Sequence, residues 1–167
     1  MKDRMFVGYG TINRVVFGQA IEILKSLQQA DNTKGSGVWD LIHPKIALVS
    51  QNLFEDGHYA NAAEDAFVEI NDRVKKLFMK VNPTASKIPD GHTAMNMVFS
   101  DNAPLVEFCD RSTETESNIQ KGYMQMLAGA MSALRNPKAH ANITITKDDA
   151  MRRLMFASML MYKIDEA

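Results

Sequence analysis

Apolar residues recur at intervals of three and four along nearly the whole chain, the signature of helix rather than strand. In the first such stretch Ile12, Val16, Ala20, Ile23, Leu24 and Leu27 share one face, and the polar, glycine-rich DNTKGSG that follows predicts a loop. VWDLIHPKIALVSQNLFEDGH then supplies an aromatic anchor at Trp39, a proline suited to the first helical position at Pro44, and a stop at Gly57, so a short helix ending near Asp56 is expected. From Tyr59 the stripe Ala62, Ala63, Ala66, Phe67, Ile70, Val74, Leu77, Phe78 and Val81 faces one way and most charges the other, which predicts a core helix. The prolines of NPTASKIPDG oppose continuation, and GHTAMNMVF is expected to add one or two helical turns.

The period resumes near Glu114, with Ile119, Tyr123, Met126, Leu127, Ala130, Met131 and Leu134 expected to face inward and Gly129 to allow close approach of a neighbour. Thr146 followed by Asp149 reads as a cap opening a last helix, whose inner face is Ala150, Leu154, Ala157, Met161 and Ile164. Met151, Met155 and Met159 widen that face, so this helix is expected either to sit centrally or to meet a second subunit. The pattern as a whole predicts an all-α fold, a bundle of about five helices that dimerises. Residues 1–37 form an N-terminal helix and glycine-containing linker in this reading, and residues 38–167 the helical domain.

Composition narrows the function classes. With 167 residues, 46% hydrophobic and 23% charged, the chain has the makings of one sizeable core. A net charge of -1 excludes the strong overall positive field of a protein that coats nucleic acid, so any such contact must be local. Charge is in fact unevenly spread. Lys121 to Arg153 holds six Lys or Arg against two acids, a local net of +4, whereas Leu53 to Asp72 holds six acids and no Lys or Arg. The single Cys109 has no partner for an internal disulfide, and no apolar run marks a signal peptide or membrane span, so a cytoplasmic protein without membrane contact is expected.

One break in the helical pattern carries candidate chemistry. RNPKAH, Arg135 to His140, interrupts an otherwise continuous amphipathic stretch. On an unbroken helix the two ends of this segment would lie about 140° apart round the axis and could not converge. Pro137 disfavours helical dihedrals at Asn136, and Asn-Pro is a good cap and first-turn pair for a restarted turn. Arg135 would then end one segment while His140 projects from the start of the next, both facing one small space whose backbone N–H groups favour an anion. A neutral imidazole there can take the proton of a ribose 2'-hydroxyl, and a guanidinium can hold the non-bridging oxygens of the neighbouring phosphate as charge grows. Lys138 adds positive charge, and no metal or other cofactor is needed. The structural alternative is plain: Arg at a helix end complements the dipole, and Asn-Pro ends helices whatever their function.

RNPKAH resembles the motif of HEPN domains, Arg then four to six residues then His, with a polar residue, here Asn136, after the Arg. LIHPKIALVSQNLFEDGHYANAAEDAF, with LAGAMSALRNPKAHAN and the closing helix, is similar to the Ymh-type branch of HEPN-like proteins from prophage and defence settings, over roughly Val38 to Ala167. The resemblance implies a two-fold dimer of helical bundles with Arg135 and His140 of both chains as catalytic residues in one cleft, and Asn136 and Lys138 at the RNA phosphate. It also implies a metal-independent endoribonuclease acting as a toxin or abortive-infection effector, often restrained by an antitoxin. Some HEPN domains are inactive and serve as interaction modules or nucleotide binders, which is the alternative.

The other histidines read first as structural. His58 has Glu55, Asp56 and Asp65 near it, but packing or hydrogen bonding at a helix start outweighs a metal site. His43 before Pro44 is expected in a capping region, and His92 and Cys109 receive no function.

Overall fold

The computed structural model describes residues 37–135 and 143–167. All regular structure among them is helical, in five α-helices. The expected N-terminal helix and its boundary with the following domain lie outside the described residues.

A single 3-10 turn, Val38–Leu41, leads into α1, Pro44–Glu55. Pro44 occupies the first turn, where its missing N–H costs nothing, and the His43 side chain caps the helix by accepting from the Lys45 N–H at 3.2 Å. The helix stops at Asp56 and Gly57, whose φ of +83° is the left-handed geometry that glycine adopts without strain. Helix α2, Tyr59–Val81, follows after this tight turn. Its alanines at 62, 63 and 66 are buried, and without longer side chains there α1 can approach closely enough for Ser50 Oγ to donate to the Ala62 carbonyl at 2.8 Å. Trp39 is the anchor expected, its ring set edge-on to Phe54 at 5.5 Å.

Helix α2 is the spine of the domain and packs most extensively against α1. Phe67, Ile70 and Val74 on it are fully buried, whereas Val81, expected on the same stripe, is half exposed because the helix ends there beyond the reach of its neighbours. After the proline loop comes α3, Gly91–Val98, the short element expected beneath it. The loop from Phe99 is folded back by two N–H groups, of Leu105 and Val106, that both donate to the Val98 carbonyl.

Helix α4, Glu114–Ala130, opens with a full capping box between Thr113 and Glu116. Of its expected inner face, Leu127, Ala130 and Met131 are buried and Tyr123 and Leu134 pack against the core, but two positions differ. Ile119 and Met126 are 39% and 38% exposed, and the buried positions are Gln120, Leu127, Ala128 and Ala130. Among the described residues Gly129 meets no neighbour within 4 Å of where a Cβ would stand, so no close approach to it is seen there. The helix continues as a π turn, Met131–Arg135, with Met131 buried. Helix α5, Lys147–Asp165, begins at Thr146, whose hydroxyl accepts from the Asp149 N–H at 3.2 Å as expected. Replacing Thr146 with alanine is expected to cost about 1 kcal/mol, read as a lower urea midpoint with unchanged slope. Ala150, Leu154, Ala157, Met161 and Ile164 are all buried against the core, while Met155 and Met159 remain exposed.

Candidate functional site

Of the four residues singled out in RNPKAH, Arg135 is described; Asn136, Lys138 and His140, with the expected Asn-Pro restart, lie outside the described residues. Arg135 is the last residue of the π turn, where the wider i to i+5 spacing leaves the backbone less tightly wound than an α-helix and re-aims the final side chain. Ser132 marks the same loosening, its hydroxyl donating back to the Ala128 carbonyl at 3.2 Å.

The guanidinium of Arg135 is about three-quarters covered and reaches the start of α3, where Nη1 lies 3.4 Å from Asp90 Oδ2. Asp90 is held from its other side. Its Oδ1 accepts from Lys75 Nζ and from Asn71 Nδ2, each at 2.7 Å. Asn71, only 1% exposed, also accepts the Gly91 N–H at 2.9 Å, so one buried amide fixes both the carboxylate and the first peptide of α3. Gly91 has a φ of +53°, and a Cβ there would stand 3.7 Å from Arg135 Nη1; the backbone angle, rather than lack of room, calls for glycine.

The hydrogen bond from Lys75, then that from Asn71, with the charges of Lys75 and Arg135 behind them, hold the Asp90 carboxyl down at about 2, against a smaller opposing effect of burial. Such a carboxylate is ionised at any physiological pH and far too weak a base to take a hydroxyl proton. Its folded value lies below its unfolded one, so its stabilising contribution is complete above about pH 4 and is lost as pH falls towards 2. Because the side chain is half exposed, water screens the effect, and Asp90→Asn is expected to cost about 1 kcal/mol at neutral pH. Urea midpoints of the two proteins should converge as the pH is lowered from 5 to 2.

A second charged cluster joins α1, α2 and α5. His43, 5% exposed, accepts through Nδ1 from the Lys45 backbone N–H, and its Nε2 lies 3.3 Å from Asp165 Oδ2. Burial works against the ionised form of Asp165, but Arg73, 2.8 Å away, together with Lys45 and His43, outweighs it and holds the carboxyl below the usual range. The His43 N–H donates to Ser158 Oγ at 2.8 Å, and Tyr162 meets the ring edge-on. Both ring nitrogens are engaged within the fold, so this His-Asp pair is a clasp between helices and not a base awaiting a substrate. The nearby open groove of about 610 Å³, lined by Arg73, Leu77, Lys80, Leu105, Glu107 and Asp165 among others, carries charges of both signs.

His58 stands at the N-terminus of α2 without a side-chain cap bond, and His92 lies in α3 against Asn96. Cys109 donates to the Glu116 carbonyl at 3.2 Å. Among the described residues no three of His, Cys, Asp or Glu are grouped to hold a metal ion, and no helix is long and apolar enough to cross a membrane.

The residues around Arg135 that sequence reasoning missed are Asn71, Lys75 and Asp90. A signal for the first existed: Asn71 interrupts the apolar run of Phe67, Ile70 and Val74, and a polar residue on a buried helix face needs a polar partner.

A family model described as Protein of unknown function (Hypoth_ymh) matches residues 40–164. No curated protein and no solved structure matches the chain.

Proposed function

This chain belongs to the Hypoth_ymh family, and we propose that it works as a metal-independent endoribonuclease of HEPN type, with Arg135 and His140 from two subunits in one cleft. The observation that supports this reading is the π turn Met131–Arg135 following α4, which carries at the first position of RNPKAH a partly exposed guanidinium 3.4 Å from the Asp90 carboxylate. A guanidinium braced by a carboxylate is a preorganised anion ligand, and the histidine of the motif follows five residues later in the sequence.

In the proposed reaction neutral His140 takes the proton of a ribose 2'-hydroxyl, whose oxygen attacks the adjacent phosphorus. The bond from phosphorus to the 5'-oxygen breaks, and that oxygen leaves with a proton from His140 of the second subunit. Arg135 binds the non-bridging oxygens while charge accumulates on them, with Asn136 and Lys138 beside the same phosphate. The products are a 2',3'-cyclic phosphate and a 5'-hydroxyl. One base and one acid are needed, and two-fold symmetry supplies both from a single histidine position. In this reading the protein acts in the cytoplasm as a toxin or abortive-infection effector under the control of an antitoxin or defence partner.

A second reading, an inactive HEPN adaptor or nucleotide-binding interaction module, is favoured by the apolar side chains left on the surface of α5: Met155, Met159 and Tyr162 are 46%, 44% and 43% exposed and follow one another at helical spacing. Incubating the purified protein with mixed RNAs in excess EDTA, followed by mass spectrometry of the fragment ends, decides between them. Cyclic phosphate termini support the nuclease; intact RNA at high protein concentration, together with normal growth on induced expression, supports the module.

A further inference from the structure

The brace on Arg135 is chemically unequal on its two sides. Asp90 is bound tightly through Oδ1, at 2.7 Å from both Lys75 and Asn71, and these come from α2, the longest helix among the described residues. Through Oδ2 it meets a single Arg135 nitrogen at 3.4 Å, longer than the usual 2.7–2.9 Å of a charge-assisted hydrogen bond. A carboxylate that competed for the guanidinium as a phosphate does would take it in the two-point fork. Asp90 instead is fixed to α2 and touches the guanidinium through Nη1, an arrangement that bears on where the cation sits without a two-point fork from this carboxylate.

We propose that Asp90, itself held by Lys75 and Asn71, is a positioning residue that aims the Arg135 guanidinium at the scissile phosphate. The inference rests on the ribonuclease reading. Asp90 carries out no proton transfer; its negative charge, kept at every working pH, is what orients Arg135. Lys75 and Asn71 act one step further back, since the amide that receives the Gly91 N–H also sets the carboxylate's direction.

The competing explanation is that Asp90 serves only as the N-terminal residue before α3, and the two roles predict opposite results from two substitutions. Asn is as good as Asp at a helix N-terminus, whereas Glu is not a preferred residue there. A capping role therefore leaves Asp90→Asn active and harms Asp90→Glu. An orienting charge harms Asp90→Asn and is largely kept by Asp90→Glu. The expected result with the full chain is a fall in kcat of roughly tenfold or more for Asp90→Asn, since small displacements of a positioning group cost up to about 100-fold, with KM changed much less and with Asp90→Glu retaining most of the rate. A second measurement does not depend on cleavage: modification of Arg135 by phenylglyoxal, followed peptide by peptide, should speed up several-fold in Asp90→Asn while Arg73, paired with Asp165, reacts as before. Wild-type protein that cleaves no RNA overturns the ribonuclease reading and the catalytic meaning of the pair together. Active wild type with an unimpaired Asp90→Asn, or equal Arg135 reactivity in the two proteins, overturns the role given to Asp90 alone.

Discussion

If the proposed ribonuclease reading holds, Arg135→Ala is expected to lower the rate of RNA cleavage by about 100- to 1000-fold, the usual loss when one preorganised donor to a developing oxyanion is removed. His140→Ala is expected to lose about 100- to 10,000-fold, the range for general acid–base catalysis, and more when one histidine position supplies both acid and base across a dimer. The double variant should be little worse than the weaker single one, because groups acting as a unit in one transition state do not contribute additively. Single-turnover cleavage of a labelled RNA measures all three. Arg135→Lys separates charge from shape: an ammonium supplies the cation but not the planar fork, so most of the loss should persist. Cleavage by Arg135→Ala at the wild-type rate would remove the guanidinium from the chemistry and with it the HEPN-type reading of the site.

How far the molecule was legible beforehand depends on which kind of interaction defines each part. The bounds of α1 were readable because Pro44 and Gly57 act locally, one by lacking an N–H and the other by entering a positive φ. The start of α5 was readable for the same reason, Thr146 and Asp149 lying within one turn of each other. The long stripe of α2 was readable because one helix face is buried along most of its length. Relations across the chain were not. Asp90 and Arg135 are 45 positions apart, and nothing in either segment announces the other. RNPKAH could be picked out as a break in the helical pattern from its own residues, but the carboxylate beside Arg135 emerges only when the start of α3 is packed near the π turn.

The misreading of α4 has a different cause. Periodicity weighs residues by hydrophobicity, so it chose Ile119 and Met126 for the inner face, and both stand at the surface. The residue that takes the place is Gln120, fully buried and one step, about 100°, round the helix. A glutamine prevails there because the loop from Phe99 to Phe108 brings backbone groups into the interior with no strand or helix to satisfy them. Burying such groups unpaired costs more than a partly exposed isoleucine forfeits.

Gln120 therefore supports the largest single stability effect expected in the described part of the molecule. Its Oε1 accepts the Phe108 N–H at 2.8 Å, and its Nε2 donates to the Phe99 carbonyl at 3.0 Å and to the Val106 carbonyl at 3.2 Å. The rings of Phe99 and Phe108, stacked at 4.7 Å, are brought together by the same three contacts, and Tyr123 of α4 packs on Phe108. Gln120→Leu nearly keeps the volume and adds apolar surface, so a hydrophobic account predicts little change or a gain. Counting polar groups predicts the opposite, because three backbone partners lose their bonds at once. At about 1–3 kcal/mol for each buried group left unsatisfied, and allowing for partial hydration where the loop can open, the cost is roughly 3–5 kcal/mol. Equilibrium urea unfolding tests this, with Ile119→Leu as a surface control expected to change little. A Gln120→Leu protein as stable as wild type would mean that the loop finds other partners, and that the amide is not what holds it against α4.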